Sequence, residues 1–125
     1  MTLNIQDYYA TLDGGDLEAA VALLSPDVEF VMILPMGTNR GSGRDAMLDY
    51  LTARPPVDRK HNLLRVSCDG DLQFAHGSVT DAGRVTGYFV GAMHLDGSGL
   101  VDRYQVSFDA EFALVPATDD SEADS

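Results

Sequence analysis

Residues 61–115 read HNLLRVSCDGDLQFAHGSVTDAGRVTGYFVGAMHLDGSGLVDRYQVSFDAEFALV, and three short segments rich in aspartate and glycine divide this run into pieces of strand length. Between these segments apolar and polar residues alternate, which is typical of strands with one buried face. Aspartate–glycine pairs also favour the tight turns of β-hairpins. The run therefore predicts four strands, joined as an antiparallel meander, at residues 61–68, 72–80, 84–95 and 100–115.

The residues before this run begin with two segments of helical spacing. The first predicted helix starts at a Thr2 cap, and the second starts at an Asp16 cap and stops before Pro26. Apolar residues follow one face of each helix: Ile5, Tyr8, Tyr9 and Leu12 in the first, and Leu17, Ala20, Val21 and Leu24 in the second.

One strand and a third helix complete the first half of the chain. Residues 28–34 form a continuous apolar run of strand length, and residues 35–43 predict a loop. Ser42 and Asp45 resemble a capping box at the start of the third helix. The predicted order is helix, helix, strand, helix and four strands. Helices followed by an antiparallel meander are typical of the α+β class.

Length and charge limit the classes of function. A chain of 125 residues predicts one domain, at residues 1–116, followed by a disordered acidic tail at residues 117–125. Eight Lys and Arg residues against 20 Asp and Glu residues give a formal net charge of −12. Nucleic acids and anionic membrane surfaces are bound by clustered basic residues, so we expect neither as a partner.

Cysteine usage and the lack of targeting patterns predict a soluble cytoplasmic protein. Cys68 is the single cysteine, so we expect no internal disulfide, and its spacing from Leu64 and Val66 predicts a buried position. No signal peptide is visible at the N-terminus, and no segment approaches the roughly 20 apolar residues that span a bilayer. The three histidines lack close spacing, so we expect neither a metal site nor a cofactor.

The strand at residues 84–95 carries apolar residues on both faces. Tyr88, Val90 and Ala92 lie on the opposite face of this strand from the residues that pack against the helices. A large apolar patch usually marks a partner surface, so we expect a homodimer through the sheets. The alternative is that neighbouring parts of the same chain cover this face.

Three segments carry a family resemblance: YYATLDGGDLEA at residues 8–19, GSGRDA at residues 41–46 and DGSGLVDRYQVSFD at residues 96–109. Together with the element order, they resemble the nuclear-transport-factor-2-like superfamily, in its SnoaL-like branch. The superfamily includes SnoaL-like cyclases, ketosteroid isomerase and scytalone dehydratase. The resemblance implies a cone-shaped, curved antiparallel sheet wrapped on N-terminal helices, with a pocket at its open end and frequent dimerisation.

Strand parity predicts which residues face this pocket. His76 shares its parity with Phe74 and is expected to point inward, whereas His94 is expected to point outward. An inward histidine is either catalytic or a structural residue with satisfied hydrogen bonds, and both interpretations of His76 stay open. The predicted substrate-binding residues are apolar or aromatic: Met32, Phe74, Phe89, Met93, Tyr104 and Phe108.

The resemblance also implies catalytic residues. Tyr8 matches the tyrosine with which ketosteroid isomerase stabilises an oxyanion, but the isomerase's two acids correspond to Met32 and Gly91, so its mechanism is not predicted. The dehydratase branch uses a tyrosine, an aspartate and a histidine at positions similar to Tyr8, Asp13 and His61. By this resemblance His61 removes a proton next to a carbonyl, Tyr8 polarises the carbonyl and Asp13 orients the imidazole.

Three further residues are relevant to these catalytic candidates. Arg65 stands where the dehydratase branch usually has asparagine. Asp109 resembles an acid–base aspartate of many SnoaL-like proteins, but alternation along its strand predicts that it points outward. Arg103 shares that outward parity, and we expect it in an ion pair at the surface or at a dimer interface.

Two functions remain open at this point. The first is an enzyme without cofactor, a lyase, isomerase or cyclase, that acts on a small apolar carbonyl compound through Tyr8, Asp13, His61 and His76. The second is a non-catalytic module of the same fold that binds an apolar ligand or a partner. The missing isomerase acids and Arg65 favour the second, and the predicted His/Tyr/Asp group favours the first.

Overall fold

Three helices and six strands make up residues 3–55 and 57–115, which the computed structural model describes. The helices are α1 (Asn4–Asp13), α2 (Leu17–Val21) and α3 (Arg44–Thr52). The strands are β1 (Leu24–Leu34), β2 (Gly37–Ser42), β3 (Arg59–Asp69), β4 (Leu72–Asp81), β5 (Arg84–Leu95) and β6 (Val101–Asp109). The predicted Thr2 cap and the predicted tail at 117–125 lie outside the described residues. No described helix is long and apolar enough to cross a membrane.

The strands form one curved sheet in the order β2-β1-β6-β5-β4-β3. Strands β3 to β6 form the predicted antiparallel meander, and the predicted α+β class is confirmed. The curved sheet is antiparallel except where β1 runs parallel to β6, with Phe30 opposite Tyr104. Register shifts occur in several of the strand pairs, such as the one between Leu63 and Arg65 in β3, and bulges of this kind bend a sheet.

Helix α1 packs against the inner face of the sheet, which is the face toward the helices. Its predicted apolar residues are all buried: Ile5, Tyr8, Tyr9 and Leu12. The side chain of Gln73 in β4 accepts a hydrogen bond from the Ile5 N–H at 3.0 Å, which satisfies a backbone donor at the start of the helix. After α1, Gly15 has a φ of +91°, and Asp16 caps α2 as predicted by accepting a hydrogen bond from Ala19 N–H at 3.0 Å.

Strand β2 occupies most of the predicted loop at residues 35–43, so that prediction is wrong. Five of its six residues are exposed, and it pairs with β1 as an edge strand. No hydrophobic alternation marks such a strand, because backbone hydrogen bonds hold it in place. Ser42 is part of β2, and α3 follows Gly43 without a side-chain cap, so the predicted capping box is also wrong. Leu24, predicted in the second helix, begins β1.

The predicted inward face of β4 is wrong. Gln73 and Ala75 are buried on the inner face, whereas Phe74 and His76 lie on the outer face, opposite Ala92 and Val90. The reason is Gln73, a polar residue that belongs inside because it hydrogen-bonds to α1. The hydrophobic pattern of this strand therefore favours the wrong face.

Strand β3 also departs from its predicted alternation. The register shift after Leu63 places Leu64 in a bulge, and its side chain is 39% exposed. Cys68, near the end of the strand, is exposed as well, so the prediction that it is buried is wrong.

Candidate functional site

A cavity of about 490 Å³ lies between the helices and the inner face of the sheet. The turn after β1, the segment after α3 and the ends of β4 and β6 surround its mouth, where Met36 is almost fully exposed. Most of its wall is apolar, and the polar groups that interrupt it are four tyrosines, one histidine, two arginines, two aspartates and a threonine: Tyr8, Tyr9, Tyr50, Tyr104, His61, Arg54, Arg59, Asp81, Asp109 and Thr86.

Asp13 and His61 form a hydrogen-bonded pair at the wall of this cavity. Asp13 is the last residue of α1, and its Oδ1 lies 2.7 Å from Nδ1 of His61 near the start of β3. Its Oδ2 accepts a second hydrogen bond from the His61 backbone N–H at 2.5 Å. An ionised carboxylate only accepts, so in the neutral imidazole Nδ1 carries the proton and Nε2 is left as the acceptor. No described residue lies within hydrogen-bonding distance of this Nε2.

Aromatic rings fix the plane of the His61 imidazole. Tyr9 stacks on it with ring centres 4.7 Å apart, and Phe89 meets it edge-on at 5.3 Å. The side chains of His61 and Asp13 are only 3% and 13% exposed. The pair is therefore held in one orientation and is largely shielded from bulk water.

Three tyrosines gather beside this pair. The hydroxyls of Tyr9 and Tyr104 share a hydrogen bond, so one of their two protons is not used between them. The hydroxyl of Tyr8 has only a weak contact, 4.0 Å from the sulfur of Met47. Burial raises the pKa of all three phenols well above the usual value, so each hydroxyl remains a proton donor at neutral pH.

An ion pair crosses the strands β3 and β4 near the mouth. Arg59 donates two hydrogen bonds to Asp81, at 2.8 and 3.1 Å, and Thr86 donates a third at 3.2 Å. The hydrogen bonds from Arg59 lower the pKa of Asp81, and the same contact raises the pKa of Arg59. Each charge is thereby compensated by the other.

The predicted site residues separate into three groups. Those that line the cavity are Tyr8, Met32, His61, Tyr104 and Phe108, with Asp13 directly behind His61. Phe89 and Met93 are core residues rather than cavity walls, although Phe89 supports the imidazole. Phe74 and His76 lie on the outer face, so the prediction that they face the pocket is wrong.

His76 has the hydrogen-bonding pattern of a structural residue. Its Nδ1 lies 2.9 Å from the carbonyl oxygen of Phe89, and its Nε2 accepts a hydrogen bond from the Val115 N–H at 3.2 Å. Both ring nitrogens are used, and the ring joins β5 to the segment that follows β6. The sequence leaves open whether His76 is catalytic or structural, and the geometry favours the structural interpretation.

Asp109 and Arg103, which the sequence predicts to point outward, have partners of their own, although Asp109 also lines the cavity, against its predicted direction. Asp109 accepts hydrogen bonds from the N–H groups of Glu111 and Phe112, at 2.8 and 2.6 Å, and these bonds lower its pKa. Arg103 pairs with Glu29 at 3.3 Å on the surface, in line with its predicted parity. Across the described residues, no group of three or more His, Cys, Asp or Glu side chains is placed to bind a metal ion.

Four residues that line the cavity are not predicted from the sequence: Tyr9, Arg54, Arg59 and Asp81. The hairpin turn between β3 and β4 gives a partial signal for this ion pair. Counting residues outward from that turn would place Arg59 opposite Ala82. The bulge at Leu64 shifts the register by one residue, so the actual partner is the adjacent Asp81. Tyr9 belongs to the predicted apolar face of the first helix, where nothing in the spacing separates a core residue from a cavity residue.

Comparison with known proteins identifies the fold family. The model of the SnoaL-like domain matches residues 5–107. A search of curated proteins found no match. Among solved structures, the chain is similar to a protein from Kribbella flavida assigned as a ketosteroid isomerase, with 24% identity, a TM-score of 0.69 and coverage of 98% of this chain and 88% of the other.

Two further structures come from enzymes of other types. An LEH-like epoxide hydrolase from M. tuberculosis has 16% identity and a TM-score of 0.69, covering 85% of this chain and 80% of its own. The epoxide hydrolase/cyclase-like enzyme SalBIII, of pyran ring formation in salinomycin, has 18% identity and a TM-score of 0.67, covering 85% and 88%. At these identities the likeness concerns the fold.

Proposed function

This chain belongs to the SnoaL-like domain family, and from that premise we propose that it is a lyase, isomerase or cyclase that acts on a small, largely apolar carbonyl compound with its own side chains. The observation that carries the proposal is the Asp13–His61 pair at the wall of an apolar cavity, with Nε2 of His61 left as an acceptor. The solved neighbours include proteins assigned to isomerisation, epoxide hydrolysis and cyclisation.

In the proposed reaction His61 is the general base. Its Nε2 takes a proton from the carbon next to the substrate carbonyl, and the electron pair of the broken C–H bond moves onto the carbonyl oxygen. The imidazolium that forms is stabilised by the Asp13 carboxylate. The same proton then returns to another carbon in an isomerisation, or to a departing hydroxyl in a dehydration. In a cyclisation the carbanion attacks a second carbonyl, and the proton goes to its oxygen.

Tyr8 is the proposed donor to the carbonyl oxygen. Burial keeps its hydroxyl protonated, and its weak contact with the Met47 sulfur leaves that proton available to a ligand. Donors aimed at an oxygen that gains negative charge lower the barrier most in a site that excludes water.

The mechanism of ketosteroid isomerase does not suit this cavity, although a neighbour is assigned to that activity. Met32 lies in the cavity wall where the isomerase's base is expected, and Gly91 lies against Tyr9 where its protonated aspartate is expected. The proton must therefore be taken by His61, which reaches the cavity from a different strand.

Deuterium uptake tests the proposed proton removal without knowledge of the natural substrate. We expect that the protein in D2O accelerates exchange next to the carbonyl of 2-tetralone, 1-tetralone or 2-cyclohexenone, measured by mass spectrometry. His61→Gln and Tyr8→Phe should each slow the exchange about a hundredfold or more, because each removes a group that acts in the transition state. His94→Gln is the matched control, because His94 pairs with Asp71 and Asp102 and does not line the cavity, and it should exchange normally.

The alternative function gives a different result in the same experiment. A ketone that binds tightly, with an affinity that survives His61→Gln, and shows no exchange above the solvent rate would identify a non-catalytic binding module. Parallel melting curves separate loss of activity from loss of folding.

The proposal includes two statements about the setting of the protein. We propose that it is a homodimer through the outer face of the sheet, which is supported by the exposed apolar side chains Leu72, Phe74 and Val90. A cytoplasmic location is supported by Cys68, an exposed free thiol of the kind that persists in reducing compartments.

A further inference from the structure

Arg54 is a cation of the cavity wall without a carboxylate partner. It follows the end of α3, and its Nε donates to the carbonyl oxygen of Leu51 at 3.4 Å. Within residues 3–55 and 57–115, no carboxylate lies within 4.0 Å of its guanidinium. Its terminal nitrogens therefore carry donors that no described residue accepts.

Of the eight basic residues, five have no carboxylate within ion-pair distance among the described residues, and Arg54 is the one of these five that lines the cavity. Arg59, Lys60 and Arg103 each pair with a carboxylate. The second arginine of the cavity, Arg59, is neutralised by Asp81, so it has little charge to offer a ligand. Arg54 is left as the uncompensated positive charge of the wall.

The local structure favours the position of Arg54. The carbonyl of Leu51 lies at the C-terminus of α3, where the helix dipole is negative and attracts a cation. Burial raises the pKa of Tyr8 and of Tyr50, and the positive charge of Arg54 opposes both shifts. The guanidinium thus acts electrostatically on two hydroxyls of the cavity, including the proposed carbonyl donor.

Asp109 is the remaining acidic group of the wall, and its contacts explain why it leaves Arg54 free. It is exposed, and its carboxylate accepts hydrogen bonds from the N–H groups of Glu111 and Phe112 at the end of β6. It lies beyond ion-pair distance of Arg54.

We propose that the cavity takes a ligand with an apolar body and one carboxylate, and that Arg54 binds this carboxylate. A guanidinium matches the two oxygens of a carboxylate with paired hydrogen bonds, which neither an ammonium nor a hydroxyl can provide. The apolar wall receives the rest of the molecule. The inference rests on the proposed function for its cavity and narrows the substrate class to carbonyl compounds that also carry an acid group.

Two probes of nearly identical shape test this inference. We expect the protein to bind 1-naphthaleneacetate at least about tenfold more tightly than 1-naphthaleneacetamide in calorimetric titrations, since only the acid can pair its charge with Arg54. Arg54→Gln should reduce the affinity for the acid to that for the amide and change the affinity for the amide less than about twofold. Arg54→Lys should keep part of the preference.

Arg40→Gln is the matched control, because Arg40 is exposed on β2 and does not line the cavity. It removes the same charge and should keep the full preference. Equal affinities of the two probes, no binding of the acid, or a preference that persists in Arg54→Gln would overturn the inference.

The outcomes separate this inference from the proposed function. A carboxylate preference that depends on Arg54, together with no deuterium exchange in any ketone, would support the ligand class and contradict the enzyme. Exchange that depends on His61, without any carboxylate preference, would do the reverse.

Discussion

Gly91 has no side chain, and the hydroxyl of Tyr9 lies close to the position that a Cβ of residue 91 would occupy. A Cβ at this position would lie 2.8 Å from that oxygen, closer than such atoms approach one another. The phenol of Tyr9 is also hydrogen-bonded to Tyr104 and stacked on His61, so it cannot withdraw without loss of these contacts. A single missing side chain thus supports the tyrosine pair and the plane of the imidazole.

We expect Gly91→Ala to lower the free energy of unfolding by about 1–3 kcal/mol, the usual cost of overpacking a tight core. Chemical denaturation of the variant and the parent measures this. Gly97→Ala is the control, because a Cβ there meets nothing within 4 Å. Equal stability of the two variants would show that Tyr9 moves aside easily.

The sequence predicted single residues of the site with mixed success. Asp13 and His61 come together as the family resemblance implied, though helical spacing alone separates Asp13 from the face of Tyr8. The structure resolves this because Asp13 ends α1 and turns toward β3. Arg54 was not predicted, because no local sequence pattern distinguishes an arginine that borders a cavity from one that follows a helix on the surface.

At the level of elements, the start of α1 depends on one side chain from β4. Gln73 is 4% exposed, and its amide oxygen accepts from the Ile5 N–H at 3.0 Å while its amide nitrogen reaches Asn4 at 3.4 Å. The first N–H groups of a helix have no partner inside it, and a buried one needs an acceptor from elsewhere.

We therefore expect Gln73→Leu to destabilise the protein by about 1–3 kcal/mol, the cost of leaving a buried donor unsatisfied. Thermal and urea unfolding measure the change. Gln105→Leu, exposed on the outer face of β6, is the matched control and should stay near the parent. If Gln73→Leu were as stable as the control, water or a shifted backbone would be satisfying the Ile5 N–H.

Element prediction succeeded where apolar spacing and turn residues agree, as in α1 and in the meander from β3 to β6. It failed at β2, whose exposed residues carry no pattern, and at the inner face of β4, where Gln73 replaces an apolar residue. The parallel pairing of β1 with β6 was not predicted from the sequence. It joins distant parts of the chain, so no local sequence pattern indicates it.

At the level of the whole molecule, the outer face of the sheet carries an apolar patch. Leu72, Phe74 and Val90 on adjacent strands β4 and β5 are 37%, 36% and 41% exposed. An isologous contact places the same patch of two copies together, so that each of these residues contributes one buried side chain from each copy.

We expect sedimentation velocity at micromolar concentration to show a dimer for the parent chain. Val90→Glu should give a monomer with an unchanged fold, because it places two charges in the symmetric contact. Val57→Glu is the control, since Val57 is 46% exposed in the connection from α3 to β3. A monomeric parent, or a dimer that tolerates Val90→Glu, would contradict the interface.

The position of β6 between β1 and β5 has a consequence for how the chain is made. Before β6 is in place, the β1–β2 hairpin and the β3–β5 meander have no strand between them, and the apolar edge of β1 lacks its neighbour. A polypeptide still emerging from the ribosome therefore lacks the strand that joins these two pieces until residues 101–109 are free to pair. Until then β1 and β5 each present an unpaired strand edge, and such edges are where chains pair with one another and aggregate.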